Sequence, residues 1–303
     1  SESILESGRR WYRGDEVIAE QAFKSAFYAY EVLPDRATKC FIEAAGLNPN
    51  SSRIREDDEF EDDFTEAQDD ICQTEKHWPG GPLYRPNEGF RKACFNADAM
   101  LPLFFRDPEL ARRLIYAISI NVRAGDVELE QDFPGGVGPN ENGFEPFFFC
   151  IGARHYLEGP YRHFLQVSPK VASRLIVDLA NFASANNAAS IERTPGSNRV
   201  TRVQSPVSSD NWLGDERVFF WNRGYASAFD QLVPALSALE KHIGDEIENG
   251  TEVNELVGEM LSECRSLAIA GVLIDVGRRH PRLFDGVLRP LLSVPILLFW
   301  CET

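Results

Sequence analysis

Apolar residues return at intervals of three and four along almost the whole chain, the spacing that lays them on one face of an amphipathic helix. In DEVIAEQAFKSAFYAYEVL the recurring positions are Ile18, Ala22, Phe23, Ala26, Phe27 and Tyr30, which predicts a helix with one buried stripe. Pro34 ends that pattern, and Asp35 is placed to cap a second helix, RATKCFIEAA, which stops at Gly46. So short a link predicts an antiparallel pair.

One phrase is written twice. DPELARRLI at 107–115 and SPKVASRLI at 168–176 share Pro, Ala, Arg, Leu and Ile at matching positions. Asp107 and Ser168 are good N-cap residues, and Pro108 and Pro169 stand at the first helical position, where a missing N–H costs nothing because that donor has no intrahelical partner. The buried stripes that follow are Leu110, Leu114 and Ala117 in one copy and Val171, Leu175 and Leu179 in the other. Each copy is preceded by an apolar segment, LPLFF or YRHFL, so the unit reads as helix, proline turn, helix. A looser third version is IAGVLIDVGRRHPRLFDGVLRPLL, divided at Pro281.

Hairpins that cannot bury their faces alone stack on their neighbours. The expected fold is therefore all-α: stacked antiparallel helical hairpins in a superhelix of the α-solenoid kind, an array able to curve toward an α/α toroid. Strand signals are confined to VFFW at 218–221 and NRVTRVQ at 198–204. The expected organisation is helical hairpins over 1–185, a long Ser/Asn/Pro/Gly-rich loop or hinge over 186–211, and further hairpins over 212–303, which can pack as one continuous array. Another loop is expected over 127–142.

Composition narrows the partners. A net charge of -16 over 303 residues opposes nucleic-acid binding, which depends on Lys and Arg neutralising phosphates. Ten of the acids lie in EDDEFEDDFTEAQDD at 56–70, read as a solvated loop; it lacks the glycine that a calcium loop needs for its tight turn. The six cysteines, at 40, 72, 94, 150, 264 and 301, form no C-x-x-C pair, and several lie in apolar helical contexts, which predicts free thiols in a reducing cytoplasm. LLSVPILLFW is too short to cross a membrane and is read as core. Starting at Ser1 and stopping just after that apolar run, the chain reads as a piece of a longer polypeptide.

Candidate chemistry is sparse. There is no G-x-x-x-x-G-K-[ST] loop, no strand followed by G-x-G-x-x-G, no G-x-S-x-G elbow and no H-E-x-x-H. His77, His155, His163, His242 and His280 are read as structural, and Asp275, inside an apolar run, is expected to pair with Arg278 or Arg279 one turn on. The one enzymatic alternative is a toroid glycoside hydrolase, with Glu141 and Glu145 facing Asp210 or Asp215, and Trp212 and Trp221 stacking on a sugar ring. No residue is assigned to catalysis, cofactor binding or metal binding, and no cofactor is expected.

Four segments in order, GPYRHFLQVSPKVASRLIVDLANFA, WLGDERVFFW, ALSALEKHI and SLAIAGVLIDVGRRHPRLFDGVLRPLL, resemble the helical region of very large bacterial ATP-binding proteins of the STAND (NACHT-like) type, several of which serve in antiphage defence. The resemblance spans about 145–295. It implies a helical sensor or regulatory segment whose ATPase core and effector lie elsewhere, and whose partner is a protein or other domains of the same polypeptide. It carries over no catalytic residue.

Overall fold

The structure, a computed structural model, describes residues 13–48, 86–120, 156–193, 202–223 and 232–302. The chain forms two compact units, 1–122 and 123–303. Among the described residues are twelve α-helices and two three-residue strands, so the protein is mostly helical. No helix among them is long and apolar enough to cross a membrane.

The first unit contains α1 (Arg13–Ala29), α2 (Pro34–Ala44), α3 (Glu88–Cys94), α4 (Ala97–Arg106) and α5 (Pro108–Ser119). Its core is aromatic: Phe27 lies 4.4 Å from Phe41 and 5.9 Å from Phe90 between ring centroids, and Phe23 meets Phe90 edge-on at 5.0 Å. The buried stripe of α1 is Ala19, Phe23, Phe27 and Tyr30; Ile18 is 61% exposed and Ala22 is also on the surface. The expected stripe was thus partly out of phase, because the partner that selects the face is α3, docked on α1 where Gly89 has no side chain. A Cβ there would lie 2.6 Å from the Ala19 Cβ. The start of α2 also differs. Pro34 is its first residue, Leu33 occupies the cap position without a side-chain bond, and Asp35 lies in the first turn. Gly46 follows the helix at a φ of 74°, as a C-terminal glycine should.

The repeated phrase has a repeated geometry. Asp107 and Ser168 are single residues between two helices, with φ and ψ of -147° and 75° in one and -141° and 70° in the other. A residue before proline is pushed out of the α region by the proline Cδ, so the first helix must stop there, and the proline then starts the next. Asp107 donates its N–H to the Leu103 carbonyl, accepts from the Ala111 N–H, and caps Leu110 N–H with its carboxylate at 3.0 Å. Ser168 repeats both backbone bonds, with Phe164 and Ala172. His280 has the same turn, at -125° and 70°, but without a side-chain cap. Its carbonyl bonds Leu283 rather than the residue after it, and the chain winds into 3-10 turns over Pro281–Asp285 and Arg289–Ser293.

The second unit holds α6 (Tyr161–Val167), α7 (Pro169–Arg193), β1 (Arg202–Gln204), β2 (Asn211–Leu213), α8 (Glu216–Phe219), α9 (Leu232–Glu248), α10 (Asn254–Glu263), α11 (Leu267–Arg279) and α12 (Pro295–Glu302). α7 packs on α6, α9, α10 and α11. α11 is buried on nearly every side from Leu267 to Gly277, as its unbroken apolar run requires. Polar groups on α7 hold the α10–α11 turn: Asn181 donates to the Glu263 carbonyl at 3.1 Å and accepts from Arg265 N–H at 2.8 Å, and the Ser184 hydroxyl meets that of Ser266 at 2.6 Å.

The region expected as a loop from 186 opens as the last turns of α7. A two-stranded antiparallel ribbon follows, pairing Val203 with Trp212, and Leu213 N–H reaches the Arg265 carbonyl at 2.7 Å. VFFW is not a strand. Asp215 caps the N–H groups of Arg217 and Val218, turning the segment into α8 and a 3-10 turn over Trp221–Arg223. The acidic tract 56–70 and the loop 127–142 lie outside the described residues.

A candidate polar cleft at the end of α9

Across the last turns of α9, positions 242, 245 and 246 fall on one helical face, continued by Asn249 just past the helix end, and α6 brings Arg162 and Gln166, one turn apart, to meet them. Together with Glu248 these residues line a cleft of about 230 Å³. Arg162 Nη2 lies 2.6 Å from Asp245 Oδ2, and Lys241 Nζ lies 2.6 Å from Oδ1, so each oxygen of Asp245 has a cation. The Lys241 bond and then that of Arg162 outweigh partial burial and hold the Asp245 carboxyl below its usual range.

His242 is 4% exposed, and its Nε2 has no hydrogen-bond partner. Burial pushes its pKa down, keeping the ring neutral beside Glu246, Arg162 and Asp245. α9 ends in a Schellman turn at Gly250, where φ is 80°, Thr251 N–H bonds the Glu246 carbonyl at 2.8 Å and Gly250 N–H bonds that of Ile247 at 3.0 Å. Its last turn has no basic residue, although the partial negative charge of a helix C-terminus favours one. That mismatch in HIGDEIEN was visible in the sequence and was the signal that could have found the cleft. The pairing of α6 with α9 was not visible.

Asp275 is held by a different arginine from those expected. Arg223 forks onto it, Nη2 to Oδ1 at 2.7 Å and Nε to Oδ2 at 3.1 Å, and Asn222 donates to Oδ2 at 2.9 Å. Arg279 reaches Glu240 instead, at 2.6 Å. The planar guanidinium from the 3-10 turn meets the carboxylate edge-on, a match that a residue one turn along α11 does not make here. Burial raises the Asp275 carboxyl, but the bonds from Arg223 and Asn222 outweigh it and leave the pKa below normal.

Such a group stabilises the fold above its unfolded value of about 3.9, and that contribution fades as pH falls through the lower folded value. Asp275→Asn is therefore expected to cost about 1–3 kcal/mol near neutral pH. Urea titrations repeated toward about pH 3 should show the gap to the unaltered protein closing. A gap independent of pH would mean that the ion pair contributes nothing.

The alternative hydrolase residues do not assemble. Trp212 and Trp221 are 0% and 1% exposed, so neither offers a face to a sugar. Asp215 is a buried cap for α8, and Asp210 lies on the surface with Arg265 at 3.3 Å. Glu141 and Glu145 lie outside the described residues, as do His77 and His155. His163 and His280 are partly buried.

Cys94 and Cys264 are buried free thiols, and burial pushes Cys264 up to about 12, which keeps both from forming a thiolate near neutral pH. No group of three His, Cys, Asp or Glu side chains suited to a metal ion occurs among the described residues. Compared with known protein families and with characterised proteins, the chain matches none.

Proposed function

We propose that residues 1–303 are a non-enzymatic, cytoplasmic protein-interaction and regulatory segment of a larger ATP-dependent signalling protein of the STAND type, with hairpins stacked as in an α-solenoid. The resemblance of 145–295 supplies the ATPase and antiphage setting. The observation that carries the interaction role is α12. Its sequence, PILLFWCE, is apolar nearly all round, yet only Leu297 and Trp300 are buried, while Leu298 is 42% and Phe299 64% exposed, with Leu292 nearby in sequence at 45%. Trp300 anchors it, 5.6 Å from the ring of Phe219. Exposed apolar side chains on a helix so firmly seated, in so acidic a chain, suit a protein contact.

Two experiments test this. The coding sequence on either side is read for G-x-x-x-x-G-K-[ST] in frame; stop codons on both sides without one overturn the ATPase part. Phe299→Asp is then placed in the whole polypeptide. Stability should move by less than about 0.5 kcal/mol, as for an exposed position. Basal ATP hydrolysis, restrained by the contact, should rise about tenfold, the equivalent of losing about 1.4 kcal/mol of restraint. An unchanged hydrolysis rate would remove α12 from the interaction.

A further inference from the structure

The stretch that leads into α12 is basic in an acidic protein. From Val276 to Cys301 the chain carries four arginines and one acid, Asp285, whereas the whole protein has a net charge of -16. Arg279 is matched by Glu240. Arg278, Arg282 and Arg289 are exposed and form no salt bridge among the described residues, and Asp285, exposed as well, pairs with none of them. Elsewhere in the second unit Arg162, Arg223 and Arg265 each meet a carboxylate.

These three arginines stand on a packed scaffold. The two 3-10 turns fold back on the end of α11, where a Cβ at Gly277 would lie 2.5 Å from the Phe284 ring and 2.9 Å from Leu288. That packing sets the residues next to Arg289 against the one next to Arg278. Side chains three apart eclipse in a 3-10 helix, so Arg289 and the half-exposed Leu292 share a face of the second turn. Leu298 and Phe299 follow, exposed, on α12. Arginine beside exposed aliphatic and aromatic side chains is the composition of a protein interface.

We infer, resting on the reading of α12 as a protein contact, that this surface docks an acidic peptide segment of a protein partner. Its carboxylates meet Arg278, Arg282 and Arg289, and its apolar residues meet Leu292, Leu298 and Phe299. A guanidinium with no partner offers a carboxylate two parallel N–H bonds, and its weak hydration suits it to an interface. A nucleic acid fits less well: it leaves the two leucines without an apolar counterpart, and a chain of net charge -16 repels an unbroken line of phosphates far more than a few carboxylates.

The test is fluorescence anisotropy on the whole chain, with a fluorescein-labelled peptide in which glutamates alternate with phenylalanine and leucine. Saturable binding is expected, weakened by added salt as for any ion contact. Arg282→Gln combined with Arg289→Gln, both at exposed positions, should leave the melting temperature in place and weaken binding about tenfold or more. Should that variant lose its fold, Arg278→Gln is expected to weaken the peptide about threefold. Peptides with lysine in place of glutamate, or alanine in place of phenylalanine and leucine, should each bind about tenfold less tightly or worse.

The docking surface is overturned by no saturable binding, by undiminished affinity in the arginine variants, or by tighter binding of a labelled single-stranded RNA. An affinity that rises about tenfold once the ten acids of 56–70 are exchanged for amides would make that tract the occupant and overturn the assignment to a partner. Arginine variants without effect, beside a Phe299→Asp variant that loses the peptide, would overturn the acidic chemistry and leave the contact at α12 standing. The α12 reading keeps its own readout in ATP hydrolysis, so either can fail alone.

Discussion

Gly271→Ala is expected to destabilise the second unit by about 3 kcal/mol or more, although alanine is the better helix former by about 1 kcal/mol. Gly271 lies in the middle of α11, and a Cβ there would fall 2.0 Å from the backbone carbonyl oxygen of Phe219 and 3.0 Å from its carbonyl carbon. A flexible side chain could swing aside, but a carbonyl at the end of α8 cannot move without carrying the helix with it. Phe219 also touches Trp300, so displacement of α8 reaches the seat of α12. Urea denaturation and the exposure of Trp300 should report the change together. A stability equal to or above that of the unaltered protein would mean that α8 does not rest on α11 as described.

The second large effect is Leu175→Ala on α7. Its side chain is 0% exposed, and truncation is expected to cost about 2–5 kcal/mol, combining lost burial with the cavity left behind. Val171, one turn earlier on the expected stripe, is only partly buried. Val171→Ala should therefore cost under about 1 kcal/mol. The contrast, measured by urea denaturation of the two variants, fixes the rotation of α7: similar costs would place the buried face about one residue from where it lies, whereas the difference places it on Ala172, Leu175, Ile176 and Leu179, which are all buried.

Those two residues mark the line between what was legible in the chain and what was not. Leu175 announced itself, because a leucine at helical spacing has one low-energy place to go. Gly271 did not. A lone glycine in an apolar helix says that something comes close, but whether that is a side chain, a ligand or the carbonyl of a residue more than fifty positions away is not written locally. The same limit applies to α1, where the period was right and the face was set by α3 docking at Gly89. It applies again to VFFW, whose β-branched and aromatic residues favour a strand until the Asp215 carboxylate captures two N–H groups and starts a turn of helix.

The candidate site divides in the same way. His242, Asp245 and Glu246 share a face by spacing alone, and acids crowding a helix C-terminus are a local sign of imbalance. Arg162 lies eighty-three positions from Asp245 and meets it only because α6 packs on α9. Asp275 shows the converse: the sequence offered two arginines within one turn, and the fork geometry was made by a third, fifty-two positions away.

By itself the sequence determined that the protein is mostly helical and where its helices break. Asp107-Pro108, Ser168-Pro169 and His280-Pro281 each end one helix and begin another turn, because the clash between a proline Cδ and the preceding residue acts over two residues and needs no partner. Only the tertiary structure decided which face of each helix is buried, which cation each buried carboxylate meets and which histidine lies against a cleft. Those outcomes depend on contacts between segments far apart in the chain, where many pairings are sterically open and the best-packed and best-satisfied arrangement is selected as a whole.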